Sequence, residues 1–582
     1  MNRPLLALAV TLMLPVMVNP AYADIDFTNY VGKYCDTPSR CVDPIAANGM
    51  VTSSNYLATQ AGVEVLQKGG NAVDAAIAVA STMSVVYPQM NTIGGDNFWL
   101  IYNAKTGEVR ALNASGRAGE KATIEHYRSL GYDKIPSRGY LAANTVPGAV
   151  SGWDTAYRYA ASNMGHSLPW KELLQSAIGY AQNGIPVSPS LNYWETVNVD
   201  PKDTTFRDLQ RFPEFKRIFL QQNDTAYPVG SLLKQPDLAR TLTTIANQGA
   251  SAFYKGEIAQ HIVADLQAHG GMLTLKDFAD HHADWVEPLH VDYRGYTAWN
   301  LPPNTQGMAS LEILNILNNV DVKAQGEGSA NYYHLMVEAT KQAFADRDQY
   351  LTDPNFSPIP LKQLLSVKHG KEQAGRIDMQ HAQVNIKPLD PKGDTVWFGV
   401  VDKDGNAVSL IQSIYHDFGS GIVPKGTGVL LQNRGSFFSL NPQDVNHLEP
   451  HKRTFHTLNP ALLTRDGKPY LVYGTMGGEG QPQTQAAIVT RIVDFGMSPQ
   501  DAIDAPRWLH GRTWGASSND MKIEGRVDPS VIETLKERGH PVKVVDGYTD
   551  TMGHAGAILI DQKTGMKYGA TDPRGDGQAA GY

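Results

Sequence analysis

Cysteine is nearly absent from this chain: 582 residues contain two, Cys35 and Cys41. Two thiols exclude a disulfide-built scaffold and any four-cysteine zinc site. A strong charge of one sign is missing too. Fifty basic against 58 acidic side chains leave a formal charge of -8, so no basic field exists to displace counterions from a nucleic acid. Long apolar runs are also missing: none reaches the roughly 18 residues of a spanning helix, and stable membrane insertion is not expected. There is no internal repeat and no low-complexity tract. What is present is an ordinary globular composition, 42% apolar and 19% charged, enough to bury a core and too weakly charged for disorder. At roughly 100–200 residues per domain, the length predicts two domains or one large layered domain.

Residues 1–23 read as a secretory signal peptide. Arg3 supplies the positive start, Leu5 to Val18 the apolar stretch, and Ala21-Tyr22-Ala23 a small-x-small cleavage site. The mature chain is then expected to start at Asp24 in an oxidising exported compartment, periplasmic or secreted. There Cys35 and Cys41 are close enough to close a small loop, or they remain two free thiols.

Periodicity organises the rest. Tyr56 to Gln67 carries Leu57, Ala61 and Val65 at helical spacing and stops at Gly69-Gly70. Asn71 caps a second helix, Ala72 to Val85, apolar almost all round and therefore buried between layers. Phe98 to Tyr102 and Val109 to Asn113 read as strands joined by a Lys105-Thr106-Gly107 turn. Residues 150–380 are mainly helical, with Trp170 to Asn183 and Tyr332 to Tyr350 as clear cases. From about 395 the texture turns to short strands: Val396 to Val401, Ala407 to Ile411, Tyr470 to Tyr473 and Ala557 to Ile560. Strands inside and helices outside predict an α/β fold, a layered αββα sandwich. Ile377 to Gly393, polar and broken by Pro388 and Pro391, reads as an exposed linker.

Several short signals fail on context. Gly165-His166-Ser167-Leu168-Pro169 lacks the last glycine of a nucleophile elbow and follows a helix instead of a strand. Asp280, His281, His282 and Asp284 have ligand chemistry, but adjacent histidines on a polar segment are more often solvated, and no metal is expected. Gly474 to Gly480 is a glycine-rich turn without the Lys-Ser/Thr of a phosphate loop. Its N–H groups suit an oxyanion, or its glycines simply permit a tight turn.

The informative stretch runs from Gly393 to Ser409: linker, strand, turn, returning strand. Asp402 opening the turn and Gly405 at a left-handed position fit a three-residue loop. That closes Asp402 on Asn406, and counting back places Thr395 opposite Ser413, two hydroxyls on one face. A two-residue loop would bring Ile414 there instead.

At this point the chain resembles the γ-glutamyltranspeptidase family over nearly its whole mature length. The resemblance rests on Gly70-Asn71-Ala72-Val73-Asp74-Ala75-Ala76, the loop from Pro88 to Gly95, Val401-Asp402-Lys403-Asp404-Gly405-Asn406-Ala407-Val408, Phe418-Gly419-Ser420-Gly421, Gly477-Gly478 and Asp572-Pro573-Arg574. It implies an N-terminal-nucleophile (Ntn) hydrolase with a four-layer αββα sandwich, which cuts itself between Asp394 and Thr395. The pieces would be a large subunit, 24–394, and a small subunit, 395–582, that stay associated. An N-terminal threonine carries its own base, an α-amine with a pKa of about 7.7–8.0. No cofactor is implied. Gly477 and Gly478 would hold the oxyanion, and Ser413 falls where the family keeps a hydroxyl beside the nucleophile. The substrate is a small-molecule amide, and the acyl group passes to water or an amine acceptor.

The chain also departs from the family. Ser115 stands where an arginine is expected, with Arg117 two residues on. Tyr415, Arg434 and Phe437 stand where amine-reading side chains belong, and His456 and Thr457 replace a serine pair. Residues 438–452 form a short segment, which implies that the usual lid is absent. Arg117 and Arg434 are suited to a carboxylate and ill suited to an ammonium. The pattern in Leu410-Ile411-Gln412-Ser413, Asn433-Arg434-Gly435 and Met552-Gly553-His554-Ala555 is similar to the acylase-like branch that includes cephalosporin acylases. Three functions remain open: γ-glutamyl hydrolysis or transfer with glutathione-like substrates, a glutaryl-type or small acid-amide acylase, and an inactive homologue that binds. Arg434 is open to a further reading as a structural ion-pair partner.

Overall fold

A computed structural model describes residues 33–34, 43–199, 207–383, 394–511 and 518–582. The signal peptide, Cys35, Cys41 and most of the expected linker lie outside the described residues. Two seven-stranded sheets lie face to face. The first orders its strands as Gln578–Gly581, Met50–Ser53, Asp394–Val401, Ala407–Tyr415, Asp96–Asn103, Glu108–Ala114 and Asp284–Val286. The second runs Ile45–Ala46, Lys567–Thr571, Ala555–Ile560, Lys468–Thr475, Ala461–Arg465, Tyr296–Asn300 and Leu289–Tyr293. Every pairing within these two sheets is antiparallel.

Strand alternation sorts the hairpin into two cores. Val396, Phe398 and Val400 point outward onto the helices Tyr56–Gln67 and Ala72–Val86, while Trp397 and Val401 fill the space between the sheets. Ala72–Val86 is buried at every position, as its all-round apolarity predicts. Asn71 caps it, and Asp74 returns the bond in a reciprocal capping box. On the far face of the second sheet lie Gly307–Leu317, Ala330–Tyr350 and Gly480–Val493, completing the αββα sandwich. Among the described residues no helix is long and apolar enough to cross a membrane.

One local expectation changes and another holds. The helix over 170–183 is broken at Leu174 into Trp170–Leu173 and Gln175–Asn183. Ser167 is no elbow: its hydroxyl donates to Asp74 Oδ1 at 2.6 Å, tying the turn to the capping box.

Candidate active site

The hairpin loop forms as its residues dictate. Asp402 N–H donates to the Asn406 carbonyl at 3.0 Å, and Gly405 takes φ = +87°. From Val401↔Ala407 down to Val396↔Gln412 the register holds, then it shifts, and Asp394 pairs with Tyr415. Ser413 and Ile414 therefore jointly oppose Thr395 in a bulge on the returning strand, where a simple Thr395:Ser413 pair was expected. Tyr415 closes the bulge with φ = +83°, a costly backbone state for an aromatic residue. Gly95 must be glycine for the strands to fit, because a Cβ there would stand 2.2 Å from the Ser413 carbonyl oxygen.

Thr395 shares the inter-sheet face with Trp397 and Gly399. Across that space a Cβ at Gly399 would touch Val472 at 3.2 Å, and one at Gly474 would strike the Trp397 ring at 2.3 Å. The strand Lys468–Thr475 ends just before Met476, at the mouth of the Gly477-Gly478 turn. These two glycines have φ of 121° and 54°, values open to glycine at little cost. The turn is held from behind: Met476 N–H donates to the His554 carbonyl at 2.9 Å, and the Gly478 carbonyl accepts from Gln306 Nε2 at 2.9 Å. The motif Met552 to Ala555 is thus a buttress, with Gly553 in van der Waals contact where a Cβ would clash with the Met476 carbonyl.

Beside the hairpin sits Arg434, fully buried. Its guanidinium donates to Ser413 Oγ at 3.3 Å and Thr457 Oγ1 at 3.4 Å, and lies 4.2 Å from the centre of the Tyr415 ring. Its Nε has no partner, and no carboxylate forms an ion pair with it among the described residues. Burial lowers its pKa to about 10, so it stays charged near neutrality. Ser413 Oγ also accepts from the Tyr415 N–H at 2.8 Å. Two donors then converge on this oxygen, and toward any further partner Ser413 acts as a donor.

His456 stacks edge-on against Phe98, with its Nε2 3.3 Å from Asp96 Oδ2. Burial, reinforced by Arg434 and Arg453, holds its pKa well below the usual imidazole value. Asp96 is paired in register with Ser413 on the neighbouring strand, and its Oδ1 accepts from Gly116, Gly148 and Gln432. Burial outweighs these bonds and the Arg434 charge, raising its pKa to about 6. Tyr415 also walls a cleft of about 290 Å³, lined by Phe437, Phe455, Arg347 and the 438–446 segment. The short stretch thus forms one wall of a cleft beside Tyr415.

The structure gathers Thr395, Ser413, Tyr415, Arg434, His456 and Thr457, with Gly477 and Gly478 at the same end of the sandwich. It does not bring Arg117 to them. Arg117 pairs with Asp284 at 2.7 Å, and that carboxylate also holds Arg453 at 2.7 Å. A residue two places past Ser115 on the edge of the strand faces this outer pair, so the expected second carboxylate reader is absent from the group. The set Asp280 to Asp284 divides likewise: Asp280 pairs with Lys276, and His281 meets Ser151 Oγ at 3.0 Å.

Asp96 and Gln306 were missed from sequence. Asp96 follows Gly94-Gly95 directly, and a charge behind two glycines in an otherwise apolar strand is a readable signal. Gln306 joins the Thr457 and Gly478 carbonyls through one amide nitrogen and receives Arg347 on its oxygen. It lies in a loop whose sequence carries no such signal.

Comparison with known proteins agrees with this geometry. The sequence profile of Gamma-glutamyltranspeptidase matches residues 58–582. The "Glutathione hydrolase-like YwrD proenzyme" of Bacillus subtilis (strain 168) is 46% identical over 537 residues, covering 92% of this chain and 99% of that one. The "Oxamate amidohydrolase proenzyme" of Klebsiella pneumoniae is 44% identical over 538 residues, with the same coverage, 92% and 99%. Among solved structures, a cephalosporin acylase from Bacillus halodurans superposes with a TM-score of 0.85 at 38% identity, covering 94% of this chain and 98% of that one. The chain belongs to the γ-glutamyltranspeptidase family, as an Ntn-fold hydrolase and acyltransferase acting on small-molecule amides.

Proposed function

We propose that this chain is exported after loss of residues 1–23, cuts itself between Asp394 and Thr395, and uses the new N-terminal threonine to cleave a γ-glutamyl-type amide. Thr395 Oγ attacks the Asp394 carbonyl carbon and the C–N bond breaks, which leaves an ester and a free Thr395 α-amine; water then cleaves the ester, releasing the Asp394 carboxylate and the Thr395 hydroxyl. The pieces 24–394 and 395–582 stay together because the hairpin is flanked on both sides by large-subunit strands, Met50–Ser53 and Asp96–Asn103.

In turnover the α-amine takes the Thr395 hydroxyl proton as Oγ attacks the amide carbonyl. Gly477 and Gly478 N–H groups hold the oxyanion, a contribution of roughly 2.7–4 kcal/mol per donor in comparable sites. The same proton goes to the departing amine, and water or an amine acceptor takes the acyl group. Ser413 donates toward Thr395, while Arg434 receives the substrate carboxylate with Tyr415, His456 and Thr457 around it. The observation that carries this reading is Arg434: a fully buried guanidinium bonded to two hydroxyls and a ring and, among the described residues, to no carboxylate. Mass spectrometry tests the cut. The wild type should give two chains beginning at 24 and 395, and Thr395→Ala one unsplit, inactive chain. A split Thr395→Ala protein sinks the proposal.

One observation favours a second reading, an acyl group with an acid and no amine. The carboxylate nearest Arg434 in the gathered group is Asp96, and its Oδ1 is already taken by three donors. An ammonium there would meet Arg434 with few acceptors. Glutaryl amides or small acid amides fit this site, and relatives named for oxamate and cephalosporins agree with it. Parallel assays with γ-glutamyl and glutaryl anilides and with oxamate decide between the two. Inactivity on all three after normal self-cleavage favours a binding protein.

A further inference from the structure

Away from the active site, three helices on the outer face of the second sheet bring Glu312, Asp346 and His369 together. Glu312 lies in Gly307–Leu317, Asp346 in Ala330–Tyr350 and His369 in Val367–Ala374. One ligand atom from each lies within 4.8 Å of the others. Glu312 is 1% exposed, and neither of its carboxylate oxygens has a hydrogen-bond partner. The charge that acts on it is the Asp346 carboxylate, and among the described residues no lysine or arginine forms an ion pair with either group. Leaving a buried carboxylate ionised beside another, with no donor, costs several kcal/mol. Asp346 and His369 are half-buried, which gives the cluster a path from solvent.

We propose that Glu312, Asp346 and His369 bind one divalent transition-metal ion, with zinc as the probe. Two carboxylates balance a double positive charge, and an imidazole in the set favours zinc-like ions over calcium or magnesium. His369 Nε2 lies 2.7 Å from Asp346 Oδ2, and Gln373 Nε2 contacts both groups, so these two half-buried ligands are already oriented. The ion fastens three helices together. One of them carries Arg347, next to Asp346, whose guanidinium bonds Gln306 and Glu479 behind the Gly477-Gly478 turn.

A second histidine cluster shows what a self-contained group looks like. His334 Nδ1 meets His540 Nε2 at 2.7 Å, His334 Nε2 donates to the Asp378 carbonyl at 2.8 Å, and Lys341 neutralises Glu338 at 2.8 Å. Its carboxylate has a cation already, and it serves as the control.

Mature enzyme stripped with a chelator and titrated with Zn2+ by calorimetry should take up one ion per chain. The melting temperature should rise, and Co2+ loading should give visible d–d absorption. Glu312→Gln and the half-buried, fold-tolerant His369→Ala should each lower affinity on the order of 100-fold or more, while His540→Ala keeps the site. Zero stoichiometry in the wild type overturns the proposal. So does zinc uptake that survives both substitutions or disappears with His540→Ala.

Discussion

Two fully buried arginines, Arg574 and Arg434, differ in what surrounds them. Arg574 forms a bidentate pair with Glu524, at 2.7 and 2.8 Å, and a further bond to Asp572 at 3.0 Å. Asp572 also holds Arg507 at 2.6 Å, and Arg507 donates to the Gly553 carbonyl beneath the glycine-rich turn. Every charge there has its opposite within reach. Arg434 has hydroxyls and a ring. The family-bearing motif Asp572-Pro573-Arg574 is therefore a strut, and Arg434 is the residue we propose as a receptor for negative charge. Burial alone does not mark function; burial with the partner left to the substrate does.

Substitution separates the two roles. Arg574→Met leaves Glu524 and Asp572 under-compensated and should cost about 3–5 kcal/mol of stability by denaturant unfolding. Arg434→Gln should do the reverse. Stability should fall by clearly less than for Arg574→Met, because Arg434 makes no ion pair among the described residues and acts on Asp96 only as a nearby charge. For a carboxylate-bearing amide, kcat/KM should fall roughly 30- to 1000-fold, about 2–4 kcal/mol, while an amide with a neutral acyl group loses little. If Arg434→Gln unfolds the enzyme and treats both amides alike, Arg434 is a strut as well and the contrast fails.

The legible parts of this molecule are those fixed by near neighbours in sequence. The Asn71 cap, the all-apolar helix after it and the Asp402–Gly405 loop each follow from a few adjacent residues, and the loop alone set the register down to Val396. The bulge was not legible, since it depends on Tyr415 taking a left-handed backbone state that local chemistry disfavours. Arg117 was misplaced because its partner Asp284 lies 167 positions away on the sheet edge. Glu312 looks like a solvent-facing position within Gly307–Leu317. Only the packing of two further helices buries it.

The contrast extends to acid. Burial raises the Asp572 carboxyl, but Arg507 and Arg574 outweigh it and bring the pKa down to about 2. At Asp96 burial prevails over the more distant Arg434, and the pKa rises to about 6. An unfolded aspartate titrates near 3.9, so the two groups act on stability with opposite sign. Asp572 contributes stability above pH 4 that is lost as pH falls toward 2. Asp96 contributes stability below pH 4 that is lost as pH rises through 6. Each shift is roughly two units, on the order of 2–3 kcal/mol. Urea unfolding between pH 4 and 7 should show wild-type stability declining relative to Asp96→Asn, which keeps an acceptor for Gly116 and Gly148 but cannot ionise. Parallel curves for the two proteins would mean that Asp96 is ionised throughout. Arg434 would then face an anionic Asp96 below pH 6 as well as above it, and its claim on a substrate carboxylate would weaken.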